Sequence, residues 1–237
     1  MKTKYGTIYE DMKKAIESGE YKVGDLIPDE LTMCDRYSCS RMTVKKAYDL
    51  LVNQGYIYRK QGQGSFVLSR TISNPYLEIQ EMDLSGLSRV TNGKVTSKIL
   101  HFNLIFATEE IAKHLNIRIN DPVYDILRLR IVNEKPYVLE QSYMPATVIP
   151  GLTEDILHHS IYGYIEKDLK LRISSAQKVT SADKSNELDQ KELKLQKDEP
   201  VLMVEQVGFL DNGVPFEYSK SRHRYDLFRF TAYSVRK

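Results

Sequence analysis

Arg128 and Arg130 stand two residues apart in the run Val123 to Val132, which reads as a strand. Side chains alternate between the faces of a strand, so the two guanidiniums project side by side with Ile126, while Leu127, Leu129 and Ile131 share the other face. Two such forks can grip a phosphate or a carboxylate through paired hydrogen bonds. In the runs that follow, Glu140 shares a face with Val138 and Ser142, and Glu217 aligns with Ser219, Ser221 and His223. Carboxylates placed there can accept hydrogen bonds from sugar hydroxyls, and the whole set suits a phosphorylated sugar. A surface ladder of ion pairs among Arg128, Arg130 and the two glutamates is the alternative that strand parity leaves open.

A second group of residues carries chemistry of another kind. Residues 36 to 70 hold Arg36, Arg41, Lys45, Lys46, Arg59, Lys60 and Arg70 against Asp49 alone, net +6, whereas residues 1 to 35 hold five lysines against eight acids, net −3. Residues 71 to 237 sum to −1, so the overall +2 conceals a basic block suited to a polyanion. A solvated basic face is the plainer reading of the same charges.

The elements around that block favour the first reading. Ile8, Met12, Ala15 and Ile16 fall on one helical stripe, predicting a helix over residues 5 to 18 that Gly19 ends. Pro28, Asp29 and Glu30 open a short second helix over 29 to 37, with Leu31, Cys34 and Tyr37 facing inward. Ser40 caps a third, whose inward stripe is Val44, Ala47, Tyr48 and Leu51, leaving Arg41, Thr43, Lys45 and Lys46 on its other faces. Gly55 ends that helix. Tyr56 to Lys60 and Ser65 to Leu68 then form a hairpin turned by Gly62, Gln63 and Gly64 and rimmed by Arg59. This order is that of a winged helix-turn-helix, in which the third helix enters the major groove, where arginine pairs with guanine O6 and N7, and the hairpin tip approaches the backbone or minor groove.

Residues 69 to 77 are polar, contain Pro75 and read as a linker. Beyond it, Val95 to Phe106, Val123 to Val132, Tyr137 to Met144, Arg172 to Ser181, Val201 to Leu210 and Pro215 to Arg224 are expected strands. Helices are expected near 108 to 116, 153 to 170 and 185 to 195, begun by Thr108, Thr153, Ser160 and Ser185. The second part is therefore an α+β domain of antiparallel hairpins and helices.

Residues 5 to 67 resemble the N-terminal domain of the GntR superfamily in Gly24-Asp25-Leu26-Ile27-Pro28-Asp29-Glu30, Ser40-Arg41-Met42-Thr43-Val44-Lys45 and Gly62-Gln63-Gly64-Ser65-Phe66-Val67. The resemblance implies DNA contacts by Arg41 and Lys45 at bases or phosphates, Thr43 at a phosphate and Gly64 at the minor groove, with Ser40, Lys46 and Arg59 completing the surface. Leu31 departs from the pattern, since many members carry arginine there. Residues 78 to 237 resemble the effector-sensing UTRA domain of the HutC subfamily, a chorismate-lyase-like fold, at Asp121-Pro122-Val123-Tyr124, Arg128-Leu129-Arg130, Glu140 to Pro145, Ser160-Ile161-Tyr162 and Pro215 to Ser219. That resemblance implies an effector pocket of Arg128, Arg130, Glu140, Ser160, Tyr162, Glu217 and His223, with Ser85 helping to hold phosphate. The expected organisation is a DNA-binding domain over 1 to 68, a linker over 69 to 77 and an effector-binding, dimerising domain over 78 to 237.

Other classes find less support. The chain has no HExxH, GxSxG or P-loop, and Cys34 and Cys39, with no second Cys or His pair nearby, make neither a zinc site nor a disulfide framework and are read as reduced thiols. No run approaches a membrane span and the start lacks the apolar core of a signal peptide, which places the chain in the cytoplasm with no membrane partner. No catalytic residue, metal or cofactor is expected. A chorismate-lyase-like enzyme and a DNA binder without sequence preference are the alternatives, and fold kinship alone transfers no chemistry to the first. The expectation is a homodimeric repressor of a carbohydrate-utilisation operon. A phosphorylated sugar, such as a β-glucoside, β-mannoside or other disaccharide, would release it from double-stranded operator DNA.

Overall fold

The computed structural model describes residues 3 to 69, 77 to 80 and 95 to 231. The chain divides into two compact units. In the first, α1 (Lys4–Glu17), α2 (Glu30–Tyr37) and α3 (Arg41–Asn53) precede the hairpin β1 (Ile57–Lys60) and β2 (Gly64–Val67). Thr3, Asp29 and Ser40 cap the three helices through their side-chain oxygens, each cap contributing about 1 kcal/mol. The α3 stripe falls as its sequence dictates, with Val44, Ala47, Tyr48 and Leu51 all buried against Ile8 and Met12 of α1 and Met33 of α2. The Tyr48 hydroxyl donates to the Pro28 carbonyl at 2.5 Å, tying α3 to the turn before α2.

The inward face of α2 differs from expectation. Met33 is fully buried and Leu31 is 63% exposed. At about 100° per residue, Leu31 lies roughly 110° around the helix from the middle of the Met33, Cys34 and Tyr37 group, so the shorter stripe wins.

The wing depends on two glycines. Gly62 has φ +73° and Gly64 φ +112°, and a Cβ on Gly64 would lie 2.7 Å from Leu26 Cδ1. Leu26 sits there because the segment after Gly24 runs along β2, with Ile27 N–H donating to Ser65 O and Val67 N–H to Asp25 O, both at 3.0 Å.

The second unit is built on one six-stranded antiparallel sheet. Its strands are β4 (Val95–Phe106), β5 (Pro122–Val132), β6 (Lys135–Pro145), β7 (Ile173–Lys184), β8 (Pro200–Leu210) and β9 (Pro215–Arg224), in the spatial order β4-β5-β6-β9-β8-β7. A separate pair joins β3 (Leu77–Gln80) and β10 (Phe228–Thr231). Asn133 (φ 48°) and Glu134 (φ 66°) turn β5 into β6 with the two positive φ angles that a tight hairpin requires. The helices are α4 (Glu109–Leu115), α5 (Glu154–His158), α6 (Ile161–Lys167) and α7 (Glu187–Glu192).

The segment 153 to 170 carries both of its expected helix starts, Thr153 and Ser160, and Ser160 leaves helical geometry to cap α6 and breaks the run after His158. The start expected at Ser185 is corrected. Asn186 caps α7 in a reciprocal capping box with Asp189, while the Ser185 hydroxyl donates to Gln196 O at 2.9 Å.

Both faces of the central strands are covered. Leu129 and Leu139 pack with Leu193, Leu195 and Val201, while Ile126 and Met144 pack with Leu157, Ile161 and Ile165 of α5 and α6. Among the described residues no helix is long and apolar enough to cross a membrane.

Candidate functional site

Register assembles the charged residues of the second unit. Arg128 pairs with Glu140 and Glu140 with Ser221, while Arg130 pairs with Val138 and Val138 with His223. Because α5 and α6 cover this face, Arg128 and Arg130 are each only 6% exposed. A surface ladder is therefore excluded. Arg128 donates to Glu140 Oε2 at 2.9 Å and to the Leu157 carbonyl of α5 at 3.1 Å, and Arg130 donates to the same Glu140 Oε2 at 3.2 Å. One carboxylate thus faces two guanidiniums.

Beside this group, Tyr162 on α6 donates to Glu217 Oε2 at 2.5 Å, and Gln206 Nε2 reaches both Tyr162 Oη at 3.1 Å and Glu217 Oε2 at 3.3 Å. Burial raises the Glu217 carboxyl, against hydrogen bonds from Tyr162 and Ser142 that pull it down. Burial would also raise Glu140, but Arg130 and Arg128 outweigh it and hold that carboxyl below its usual range. Glu140 is thus the carboxyl that the two arginines hold low, and Glu217 is the one that burial raises. Both arginines bond one Glu140 oxygen in a site shielded from water, and Arg128 Nε has no hydrogen-bond partner. An arrangement of this kind favours an anion carrying several acceptor oxygens.

His223 is buried between Tyr137, at 5.8 Å, and Phe228, at 4.0 Å between ring centroids, with no partner for Nδ1. Burial pushes its imidazole down to about 4, against the pull of Glu140. The folded value lies below the unfolded one of about 6.5, so the unfolded chain takes up the proton first as pH falls. The contribution is fully present above about pH 6.5 and is lost towards pH 4, amounting to about 3 kcal/mol. Replacing His223 with Gln is expected to flatten that part of the thermal-stability profile. An unchanged slope between pH 4 and 6.5 would contradict a buried neutral imidazole.

Ser160 stays apart from this network, exposed, with its hydroxyl accepting from Gly163 N–H at 3.0 Å to cap the helix that carries Tyr162. Ser85 lies outside the described residues. Gln206 and Tyr137 are missed by sequence reading. Gln206 enters because β8 pairs it with Ser219 on the β9 strand of Glu217, and Tyr137 because the register shifts between Arg130 and Ile131.

In the first unit, Ser40, Arg41, Lys45, Lys46, Arg59 and Gly64 are all exposed and Thr43 is half-buried. The hydroxyls of Ser40 and Thr43 lie 2.9 Å apart. Arg41 Nε donates to Glu30 Oε2 at 2.9 Å, which ties α3 to α2, and the Arg41 side chain remains exposed. Lys46 is turned back onto the Tyr5 ring, 4.2 Å from its centroid, and Arg59 pairs with Asp49 at 2.6 Å. Lys45 has no such anchor among the described residues, so Arg41 and Lys45 are the cations most free to meet a polyanion.

Residues 4–67 match the description "Bacterial regulatory proteins, gntR family", and residues 91–229 match the UTRA domain. The chain belongs to the GntR family. It is a DNA-binding transcriptional regulator of the branch that carries a UTRA domain, with an antiparallel-sheet domain of the chorismate-lyase type following a winged helix-turn-helix. This GntR regulator is 42% identical over 235 residues to the HTH-type transcriptional regulator GmuR of Bacillus subtilis (strain 168), covering 99% of each chain. It is 29% identical over 234 residues to the mannosyl-D-glycerate transport/metabolism system repressor MngR of Escherichia coli (strain K12), covering 98% of this chain and 96% of that one. Among solved structures, the possible transcriptional regulator YydK from Bacillus subtilis subsp. subtilis str. 168 superposes with a TM-score of 0.80, at 29% identity, over 98% of this chain and 100% of that one.

Proposed function

We propose that this GntR regulator is a homodimeric, non-enzymatic, cytoplasmic repressor of a carbohydrate-utilisation operon, released from its operator by a phosphorylated sugar. Residues 1 to 68 read the operator, residues 69 to 77 connect, and residues 78 to 237 bind the sugar and dimerise. Arg41, Thr43, Lys45 and Gly64 face DNA, with Ser40, Lys46 and Arg59 at the edge of that surface. Arg128 and Arg130 take the phosphate, helped by Ser85, while Glu140, Tyr162, Glu217 and His223 meet the sugar, and Ser160 contributes through the helix it caps, which carries Tyr162.

The observation that carries this reading is the buried pair of arginines sharing one carboxylate. A phosphoryl group supplies the charge and acceptors that Glu140 supplies only in part. The named role of MngR in transport and metabolism of a sugar derivative supports a carbohydrate ligand. Release requires tighter binding of the sugar to the state that does not hold DNA, since equal affinity for both states shifts nothing. A two-fold operator matches the two-fold symmetry of a dimer.

The test is the paired substitution Arg128→Ala with Arg130→Ala. Operator affinity in a mobility-shift assay is expected to stay within about threefold of the parent, because the first unit is untouched, while sugar-phosphate release is lost. Release at the parental ligand concentration would overturn the phosphate assignment. Arg128→Lys with Arg130→Lys, which keeps the charge opposite Glu140 but removes the forks, controls for folding and should weaken ligand binding about tenfold or more.

A further inference from the structure

The two cysteines of the chain lie at opposite ends of the turn in the helix-turn-helix. Helix α2 ends at Tyr37, Ser38 takes left-handed geometry (φ 47°, ψ 57°), and Cys39 directly precedes the Ser40 cap of α3. Ser38 N–H donates to Asp35 O at 3.4 Å and Cys39 N–H to Cys34 O at 3.1 Å. These two bonds define a Schellman ending, a motif that brings the side chain after the left-handed residue onto the one five positions earlier. Those side chains are Cys39 and Cys34.

We propose that Cys34 and Cys39 are a dithiol that closes to a disulfide across this turn and, once closed, weakens operator binding. Standard bond lengths and the 3.1 Å N···O contact put the two Cα atoms within about 7 Å at most, against about 4.4–6.8 Å across disulfides. Both side chains pack on the edge of the first unit's core and both remain partly exposed, so a small oxidant can reach them. Partial burial raises the Cys34 thiol, and the neighbouring Cys39 and Asp35 add to the effect.

The oxidant is a low-molecular-weight disulfide. One cysteine thiolate attacks it, the S–S bond of the oxidant breaks, and one thiol leaves with the proton. The second cysteine thiolate then attacks the protein sulfur of the mixed disulfide and a second thiol leaves. The protein has lost two hydrogens as two protons and two electrons, and the oxidant has become two thiols.

Closure brings the sulfurs to about 2.05 Å. Cys39 moves towards α2, and with it the adjacent Ser40 cap and Arg41, whose Nε is already held by Glu30. Helix α3 is thereby displaced at the end that carries Arg41.

The full-length protein is incubated with glutathione disulfide, and the cysteine-containing peptide is examined by mass spectrometry. A peptide lighter by two hydrogens, linking Cys34 to Cys39, is expected. Operator affinity, measured by fluorescence anisotropy on a duplex selected from a random pool by the reduced protein, should fall about tenfold or more, the size of one lost bidentate base contact. Dithiothreitol should restore it, and Cys34→Ala and Cys39→Ala should each abolish the effect. Finding only glutathione adducts or unchanged thiols overturns the pairing, by a readout that needs no DNA and no variant. An internal disulfide with unchanged operator affinity overturns the control.

Discussion

Arg41→Ala is expected to lower operator affinity by about two orders of magnitude while leaving ligand binding in the second unit unchanged. The Arg41 side chain is 72% exposed and among the described residues it bonds through Nε to Glu30, which leaves the terminal nitrogens for DNA. A bidentate arginine–guanine contact is worth about 1–3 kcal/mol, and a two-fold complex loses two of them. The exposed pair with Glu30 contributes at most about 1 kcal/mol to stability, so folding should be preserved. Fluorescence anisotropy with specific and scrambled duplexes measures the loss. Retained discrimination between the two duplexes would remove α3 from the role of reader.

Glu140→Ala is expected to destabilise the second unit by about 3–5 kcal/mol, because it removes the carboxylate that two guanidiniums, each 6% exposed, both bond. For a unit of this size that corresponds to a fall in melting temperature of roughly 6–20 °C. The size of the effect follows from sharing, since both arginines bond the same Glu140 oxygen. Inorganic phosphate at millimolar concentration should recover part of the loss in the variant and stabilise the parent less, because any anion that binds only the folded site stabilises it by mass action. A variant that melts within about a degree of the parent, with or without phosphate, would mean that the arginines do not depend on the Glu140 carboxylate.

The first unit was largely legible because its helices are amphipathic and individually capped. Val44, Ala47, Tyr48 and Leu51 follow the helical period, and Ser40, Gly62 and Gly64 mark the points where it must begin or turn. Leu31 misled because a helix of two turns offers too few residues to tell one apolar stripe from another. In the second unit, strand parity placed Arg128 and Arg130 on one face correctly but not the depth of that face. Depth depends on α5 and α6 folding over the sheet, a long-range event with no local signal. The strand order β4-β5-β6-β9-β8-β7, which brings Gln206 to Glu217 and His223 to Val138, was likewise set by packing. The break between α5 and α6 rested on the same competition, since Thr153 and Ser160 were both capable caps and only the packed structure shows that each is used.

The most direct test is titration of the operator complex with a phosphorylated disaccharide and, separately, with the same disaccharide lacking the phosphate, followed by fluorescence anisotropy of the labelled duplex. Release by the phosphorylated compound alone is the predicted result, because only it supplies the anion that Arg128 and Arg130 are arranged to receive. Equal release by both compounds, or release by neither across a panel of phosphorylated disaccharides, would contradict a phosphate-gated repressor.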